Sequence, residues 1–474
     1  MSAQSLKVVV RWGKRVFNVG LDTSADLLQF KTQLFSVTNV PPDRQFLLGT
    51  GSCAGLLADD VDLSSLAIHA NQEFLLIGSD HVVNLSTESA DTEMSAEVQV
   101  GLENLGNTCY LNSCVQMLKS VPELVEFLKN YSSADEYDPD HKLVAQISKV
   151  ISSLVAGRKS VYPAQLVSQL RENHPQFAEK GEHGAFMQQD AEEAFTQLVT
   201  SLNKRLTTTN VSQEASKEDE VADVPMEGPD APLATDKLME RLFGIGTRQT
   251  MRLAGTDDTP VASESAETLW KLTCHIGNST SQLLQGLQES AVETIERKDP
   301  ETNEDRVYER KTELVRLPEY VTVQFMRFFW DQQNQKKQKI LRSVRYPATF
   351  DAAPLCTPEL QETIKDYRRA ATKARDIMDG LAEGTAEPPE MPRQDGIIVN
   401  NLSGMYELHA VITHKGRRAD GGHYLGWARD AQGQWQRYDD DKVTPITEKD
   451  ALELHGGGDW HTAYMALYKA KTTV

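Results

Sequence analysis

Cysteine is scarce in this chain, and long apolar runs are missing from it. The 474 residues include five irregularly spaced cysteines. A chain of this length needs no disulfides to support its core, so we expect reduced thiols. No segment approaches the roughly 20 consecutive apolar residues that cross a bilayer, and the first residues lack the pattern of a secretory signal. We therefore expect a protein of the cytoplasm and nucleus.

Basic residues are outnumbered as well. Lysine and arginine together number 49 against 69 aspartates and glutamates, which gives a formal net charge of −20. Because such a charge repels a phosphate backbone, we expect no nucleic-acid partner. Solubility alone or a basic protein partner would explain the charge equally well.

Paired CxxC motifs, which often hold a structural zinc, are absent from the sequence. Cys274 and His275 are adjacent, and neighbouring residues of a strand point to opposite faces of a sheet. We therefore expect neither a metal nor another cofactor.

Residues 1–79 contain four short β-rich runs and one helical segment. The first two runs form a predicted hairpin over residues 6–21. A helix follows, because Leu27, Phe30 and Leu34 recur on one helical face after the capping residue Thr23. This order of elements resembles the β-grasp fold of ubiquitin. Since the segment ends in IGSD and not in a glycine pair, we expect a docking module here.

The rest of the chain reads as a linker and one large domain. Residues 80–97 are small and polar, which predicts a flexible tether. Residues 98–474 form the second domain, because a chain of this length exceeds a single hydrophobic core. An acidic segment at about 207–232 predicts a surface loop. A helical insertion at about 357–395 begins at the capping residue Thr357.

The segment GLENLGNTCYLNSCVQML places Cys109 at the start of a helix. Unpaired N–H groups and the helix dipole favour a thiolate there, so we expect a lowered pKa for this thiol. Taken alone, a helical cysteine is more often a small buried hydrophobe. That is our interpretation of the other cysteines, Cys53, Cys114, Cys274 and Cys356.

A base and an acceptor for such a nucleophile lie in the C-terminal third, at His423 and Asp439. Predicted strands at residues 406–413, 424–428 and 435–438 form a meander that brings the two side chains together. On spacing alone, an ordinary turn histidine and a solvated run of aspartates are the better interpretation.

Three motifs together resemble the Cys, Gln and His boxes of the ubiquitin-specific proteases: GLENLGNTCYLN, QQDAEEAF, and GGHY with YDDDKV. The likeness continues through VQFMRFFW, KILRSVRYP and DWHTAYMALYKA, so it covers most of residues 98–474. It implies an α+β protein, with a papain-like catalytic domain of fingers, palm and thumb behind the ubiquitin-like domain. The implied activity is that of a thiol-dependent ubiquitinyl hydrolase.

The resemblance also implies catalytic roles. Cys109 would attack the carbonyl of ubiquitin's terminal glycine, and His423 would take and later return the proton. Asp439 would hold His423 in its working tautomer. Asn104, together with the backbone N–H of Cys109, would stabilise the oxyanion. Asp440 would assist, and the sequence does not rank it against Asp439.

Further positions match the family's ubiquitin-binding residues. In the Gln box, Asp190 and Glu193 would meet basic residues of ubiquitin's C-terminal tail through an acidic helix face that includes Gln197. A solvated helix face is the alternative. Gly421 and Gly422 suggest a channel in which two backbones approach closely. The full set of ubiquitin-contact candidates is Gln189, Asp190, Glu193, His414, Tyr424 and Asp440.

The whole chain resembles a proteasome-associated member of the family. The resemblance implies ubiquitin, ubiquitinated proteins and the 26S proteasome regulatory particle as partners of a free monomer, with residues 1–79 as the docking domain. Surface loops near 329–339 and 417–421 would cover the tail channel until the proteasome is bound. Two rival hypotheses remain: an adaptor without turnover, and a peptidase for another ubiquitin-like modifier.

Overall fold

The computed structural model describes most of the chain, in two compact units that comprise residues 1–95 and 96–474. The described residues are 5–12, 15–23, 27–38, 40, 45–49, 55–57, 61, 63, 66, 68–77, 99–131, 137–157, 160–181, 184–206, 238–255, 261, 263–298, 304–331, 336–379, 387–418, 421–458 and 460–471. The predicted linker at 80–97, the predicted acidic loop at 207–232 and Cys53 lie outside them. Within these ranges, no helix combines the length and apolar character of a membrane span.

The N-terminal unit is a five-stranded sheet with one helix. Its elements are β1 (Ser5–Trp12), β2 (Arg15–Asp22), α1 (Leu27–Thr38), β3 (Phe46–Gly49), β4 (Gly55–Leu56) and β5 (Glu73–Ile77). The strand order is β2-β1-β5-β3-β4, and β1 runs parallel to β5. The predicted helix face of Leu27, Phe30 and Leu34 is buried against this sheet. The expected β-grasp fold is confirmed, and the short strand β4 was not predicted.

The larger unit begins with helices that surround the predicted nucleophile. Helices of this unit, in chain order, are α2 (Cys109–Lys119), α3 (Pro122–Lys129), α4 (Pro139–Val155), α5 (Ala164–Asn173), α6 (Ala191–Arg205), α7 (Leu238–Phe243), α8 (Leu283–Ser290), α9 (Pro358–Met378) and α10 (Glu448–Leu452). Thr357 caps α9, since its hydroxyl accepts a hydrogen bond from the N–H of Leu360 at 3.4 Å.

The strands of this unit build two large sheets and one small one. In chain order they are β6 (Ile245–Leu253), β7 (Ser263–Leu269), β8 (Leu272–Cys274), β9 (Val292–Lys298), β10 (Asp305–Arg316), β11 (Tyr320–Phe325), β12 (Phe328–Asp331), β13 (Lys336–Lys339), β14 (Thr349–Asp351), β15 (Arg393–Gln394), β16 (Ile397–Ile398), β17 (Met405–Arg418), β18 (Gly421–Arg429), β19 (Trp435–Asp439), β20 (Lys442–Pro445) and β21 (Thr462–Ala470). One sheet has the order β7-β6-β10-β9, and β15 pairs with β16. The central sheet has the order β20-β19-β18-β17-β21-β11-β8, with β12, β13 and β14 attached to it.

The central sheet is buried on both faces. Along β17, Ala410 and Ile412 belong to the hydrophobic cluster that includes α2 to α7, whereas Val411 belongs to the cluster that includes α8 and α9. On β21, Met465 belongs to the first of these clusters and Ala466 to the second. Because side chains alternate across a strand, a continuous apolar run such as this one predicts a sheet covered on two sides. The sheet therefore fixes β18 and β19 rigidly beside α2.

Candidate active site

Cys109 is the first residue of α2 and lies deep in the protein. A tight turn precedes it, in which Gly106 (φ +90°) and Asn107 (φ +58°) adopt left-handed backbone conformations. The thiol is nearly inaccessible, with 2% of the residue exposed. The backbone N–H of Tyr424 on β18 donates to the Cys109 sulfur at 3.5 Å, although the two residues are 315 positions apart in sequence. The fold thus brings the helix start against the strand that carries His423.

His423 and Asp439 meet across the antiparallel strands β18 and β19. The distance from His423 Nε2 to Asp439 Oδ1 is 2.7 Å, whereas that to Asp440 Oδ2 is 4.0 Å. Asp439 is therefore the direct hydrogen-bond partner of His423. Since this bond occupies Nε2, Nδ1 is the ring nitrogen left to exchange a proton with Cys109.

The thiol of Cys109 does not have the lowered pKa that its helical position suggested. Burial raises this pKa to about 12, and the nearby negative charge of Asp440 acts in the same direction. Backbone N–H groups, that of Tyr424 foremost, lower the pKa but do not outweigh burial. The sequence prediction was wrong for this state because it counted the helix dipole and could not count desolvation. Burial therefore favours the protonated form of the Cys109 thiol.

Asp440 links two asparagines beside the cysteine. Its Oδ2 accepts from Asn104 Nδ2 at 2.9 Å, and its Oδ1 accepts from Asn112 Nδ2 at 2.8 Å. Burial raises the pKa of Asp440, while these two hydrogen bonds act in the opposite direction. We call Asn104, Asn112, His423, Asp439 and Asp440 the polar network. Asn112 was not among the sequence candidates, although it lies one helical turn after Cys109.

Four rings form an aromatic cluster on the other face of β18: Phe328, His414, Tyr424 and Tyr464. The ring centroids of His414 and Tyr424 are 4.6 Å apart, and those of Phe328 and His414 are 5.2 Å apart. Within the described part of the chain, neither ring nitrogen of His414 nor the Tyr424 hydroxyl makes a hydrogen bond of good geometry, although the backbone of Gly421 approaches His414 and that of Ala191 approaches Tyr424. Burial, aided by the charge of Lys339, lowers the pKa of His414 to about 3. His414 is thus a neutral, fully buried imidazole.

The Gln box places Asp190 at the N-cap of α6. Asp190 Oδ1 accepts from the N–H of Glu192 at 2.8 Å, and the Tyr464 hydroxyl donates to the same carboxylate at 2.6 Å. Because the helix begins at Ala191, Asp190 precedes the helical face that we had assigned to it. Gln189 and Glu193 are half-buried.

Where the structure describes the predicted loop near 329–339, it has two paired strands, on either side of residues 332–335, which lie outside the described residues. Strands β12 and β13 pair from Phe328 with Lys339 to Asp331 with Lys336. The hairpin continues into the central sheet through the pair Gln338 and Arg418. The ammonium of Lys339 donates to the carbonyl of His414 at 2.6 Å. Composition alone suggested a loop, but backbone pairing at a sheet edge does not require apolar side chains.

Arg327 anchors the base of this hairpin. The side chain is fully buried, and it donates to the main-chain carbonyls of four residues, Ile340, Arg342, His455 and Ala463. Burial lowers the pKa of its guanidinium to about 10. The guanidinium thereby joins β12 to the chain before and within β21.

Gly422 is required for an internal reason. Its φ is +139°, and a Cβ placed there would lie 2.2 Å from the Lys415 carbonyl oxygen and 2.6 Å from His414 Nε2. Gly421 has open space at the corresponding position. The missing side chain of Gly422 thus makes room for the Lys415 carbonyl and for His414, whereas Gly421 leaves open space beside the strand, and the predicted channel for a second backbone stays a prediction.

The remaining cysteines that the structure describes are buried free thiols: Cys114, Cys274 and Cys356. Cys274 packs under α8, where a Cβ on Gly286 would lie 2.3 Å from its sulfur. Among the described residues, one group of at least three potential metal ligands exists, formed by His423, Asp439 and Asp440. Since His423 and Asp439 already share a short hydrogen bond, the group is better suited to proton transfer than to metal binding.

Sequence comparison identifies the chain's relatives. Residues 100–468 match the family described as ubiquitin carboxyl-terminal hydrolase. Ubiquitin carboxyl-terminal hydrolase 7 of Arabidopsis thaliana is 34% identical over 98% of this chain and 99% of its own length. Ubiquitin carboxyl-terminal hydrolase 6 of Schizosaccharomyces pombe and ubiquitin carboxyl-terminal hydrolase 14 of Caenorhabditis elegans are each 31% identical, over 98% of this chain and 98% and 93% of their own lengths. The family match spans well over half of the chain, and this protein belongs to the ubiquitin carboxyl-terminal hydrolase family.

Proposed function

We propose that this protein is a thiol-dependent deubiquitinase, which hydrolyses the isopeptide or peptide bond after the C-terminal glycine of ubiquitin. One observation carries the proposal: His423 is hydrogen-bonded to Asp439, while the next residue, Tyr424, donates its backbone N–H to the Cys109 sulfur. A nucleophile on α2, a base on β18 and the acceptor on β19 that orients the base thus lie beside one another. The names of the relatives support ubiquitin as the protein recognised.

The reaction follows from these positions. Cys109 attacks the carbonyl carbon of ubiquitin's terminal glycine, and His423 Nδ1 takes the thiol proton. Asn104 and the backbone N–H of Cys109 donate to the negative oxygen of the tetrahedral intermediate. The intermediate collapses to a thioester as His423 passes its proton to the departing amine. Water then attacks the thioester with His423 as base, which frees the carboxylate of ubiquitin and restores the thiol.

Asp439 and the raised pKa of the Cys109 thiol determine how His423 acts as the base. Asp439 holds the ring of His423 with Nδ1 toward the sulfur and stabilises the imidazolium that forms. Because burial favours the protonated thiol, His423 must remove its proton as the substrate arrives.

The ubiquitin tail binds between the Gln box and the end of β18 in this proposal. Glu193 and the Asp190 carboxylate supply negative charge toward a basic tail, where charge-assisted hydrogen bonds would set the register. His414, Tyr424, Gln189 and Asp440 border the channel. Glu193 supports this assignment, since it is half-buried at the start of α6 and a charged carboxylate there can pair with a basic tail.

A ubiquitin-based probe with a thiol-reactive C-terminus tests nucleophile and substrate together. Mass spectrometry should find the adduct at Cys109. A Cys109→Ala variant should form none, and the matched control Cys114→Ala should react normally. An adduct at another cysteine, or stronger labelling by probes built on other ubiquitin-like modifiers, would contradict the proposal. Normal hydrolysis by Cys109→Ala would do so as well.

We further propose that the ubiquitin-like unit docks on the 26S proteasome regulatory particle and that docking raises activity. Support comes from the solvent face of its sheet, where Leu48 and Leu75 are directly paired and Leu75 is 40% exposed. Leu48 is half-buried, and an exposed leucine beside it on a sheet is suited to a protein partner. In this proposal, the segments 329–339 and 417–421 cover the tail channel in the free monomer. The proposed location of the protein is the cytoplasm and nucleus.

Turnover of a fluorogenic ubiquitin substrate with and without purified proteasomes tests the docking proposal. Proteasomes should stimulate the unmodified protein, and Leu75→Lys should lose the stimulation while keeping its activity alone. Val37→Lys is the matched control, because Val37 is 48% exposed on α1. Equal turnover with and without proteasomes would refute the regulation, and fluorescence microscopy of the tagged protein would check its location.

A further inference from the structure

Asn112 occupies a buried position on the catalytic helix that the mechanism above leaves unused. It lies one turn after Cys109 on α2 and is 3% exposed. Its Nδ2 donates to Asp440 Oδ1 at 2.8 Å, and the carbonyl oxygens of Glu103 and Leu102 lie farther away, at 3.3 and 3.4 Å. The shortest contact of this amide is therefore with a carboxylate.

The backbone of Asp440 is held by the segment that precedes Cys109, at Gly101 and Leu102. It adopts a left-handed conformation (φ +53°) in the turn between β19 and β20. Its carbonyl accepts from the N–H of Leu102 at 2.9 Å. Gly101 packs so closely that a Cβ there would lie 2.4 Å from the same carbonyl oxygen. A turn held in this way gives the carboxylate one orientation.

The orientation of the Asp440 carboxylate in turn orients the side-chain amide of Asn104. Its Oδ1 accepts from the N–H groups of Gly106 at 3.0 Å and Thr108 at 3.2 Å, so one end of the amide is fixed by the helix start. Its Nδ2 gives one N–H to Asp440 Oδ2 at 2.9 Å. An amide nitrogen carries two hydrogens, so the second N–H is available for an oxyanion.

We propose that Asn112 is a positioning residue, which holds the Asp440 carboxylate and through it the amide of Asn104. The inference rests on the proposed function, in which Asn104 stabilises the oxyanion. Asn112 touches neither substrate nor sulfur in this role. Without its hydrogen bond, Asp440 loses one of its two amide donors, and the Asn104 amide loses its fixed acceptor.

A double-mutant cycle tests the proposal. Asn112→Ser should lower kcat by about tenfold or more with little change in KM, since preorganised oxyanion donors act in the transition state. In an Asn104→Ala background the same substitution should change kcat by less than about twofold, because the residue through which it acts is gone. In an Asp439→Asn background its full effect should persist. Asn173→Ser, at the half-buried C-terminal residue of α5, is the matched control and should leave kcat unchanged.

Two further measurements separate positioning from simple loss of structure. The pH dependence of kcat/KM should keep its shape in Asn112→Ser, because Asp439 still holds His423. Alkylation of Cys109 by iodoacetamide needs no oxyanion donor, so its rate should stay within about threefold of the original. If Asn112→Ser unfolds, Asn112→Ala removes the same donor without adding a charge and should show the same coupling.

An equal loss of kcat in the presence and absence of Asn104 would overturn the positioning role. A shifted pH profile would also overturn it, because it would place Asn112 with His423. An unmodified protein that hydrolyses no ubiquitin substrate would instead refute the proposed function, so the two failures are distinguishable.

Discussion

His423 and Tyr424 are consecutive residues of β18, yet their side chains enter opposite environments. His423 faces the polar network, in which it is hydrogen-bonded to Asp439, while the neighbouring Asp440 is hydrogen-bonded to the two asparagines. Tyr424 faces the aromatic cluster, where, among the described residues, its hydroxyl and both nitrogens of His414 lack a hydrogen bond of good geometry. The alternation of side chains along a strand produces this contrast directly.

The contrast separates two requirements of catalysis. A preorganised network costs no rearrangement when charge develops, which favours the chemical step. Buried groups without partners cost free energy, which a bound peptide backbone can recover. We therefore expect changes in the polar network to affect kcat and changes in the aromatic cluster to affect substrate binding and stability.

Replacement of Cys109 by Ala gives the largest expected effect on the polar side. Hydrolysis of a fluorogenic ubiquitin substrate should fall by at least about 10⁴-fold, as for removal of other catalytic nucleophiles. Stability should change little by comparison, and thermal denaturation would verify it. Residual activity above about one per cent would indicate another nucleophile.

Asp439→Asn should have the next largest effect, and it tests the ranking of the two aspartates. Its Oδ1 is the atom bonded to His423, so the substitution should reduce kcat by about 10²-fold or more and shift the pH profile of kcat/KM. Asp440→Asn should reduce kcat with a smaller shift, because Asp440 makes no direct hydrogen bond with His423 and acts on Cys109 and His423 through its charge. A shift in the Asp440 variant alone would reverse the assignment.

Buried neutral histidines should make the protein sensitive to acid. Burial is the main cause that lowers the pKa of His409 and His461 to about 4 and that of His414 to about 3. In the unfolded chain these groups bind protons near pH 6.5. The unfolded state therefore binds more protons below this pH, so stability is present above about pH 6.5 and is lost toward pH 4.

The expected loss at pH 5 is on the order of 1 to 2 kcal/mol for each histidine, measured by chemical denaturation at pH 7 and pH 5. His409→Gln retains a donor for the Ser120 carbonyl and should reduce the difference. A stability that is the same at both pH values would contradict the assignment of neutral histidines.

Gly422→Ala should destabilise the aromatic side, and Gly421→Ala provides a matched control. The added methyl group at Gly422 meets the Lys415 carbonyl and His414, and the backbone there is left-handed. We expect a loss of about 1 to 3 kcal/mol in unfolding free energy and a higher KM. Gly421→Ala meets open space and should be nearly neutral. Equal effects of the two substitutions would show that His414 does not need the space.

Treatment with a chelator should have the smallest effect. Because the sequence contains no CxxC pair, we expect the Tm to remain unchanged after incubation with EDTA. A large drop in Tm would reveal a structural metal.

Sequence patterns predicted the elements of the site better than its electrostatics. The strand pattern around His423 and the helix start at Cys109 depend on local periodicity, which a sequence displays. The preference of His423 for Asp439 over Asp440 depends on a left-handed turn at Asp440, which no local pattern reveals. The raised pKa of Cys109 depends on burial by distant segments. The hairpin at 328–339 was missed because polar residues can pair at a sheet edge.

Arg327 limits how the hairpin can move. Its buried guanidinium donates hydrogen bonds to the carbonyl of Ile340, which follows β13, and to those of His455 and Ala463, before and within β21. If the guanidinium moved away, these buried carbonyl oxygens would lose their hydrogen-bond donors, which would cost free energy. Any opening of the segment therefore bends its strands and does not swing them about their root.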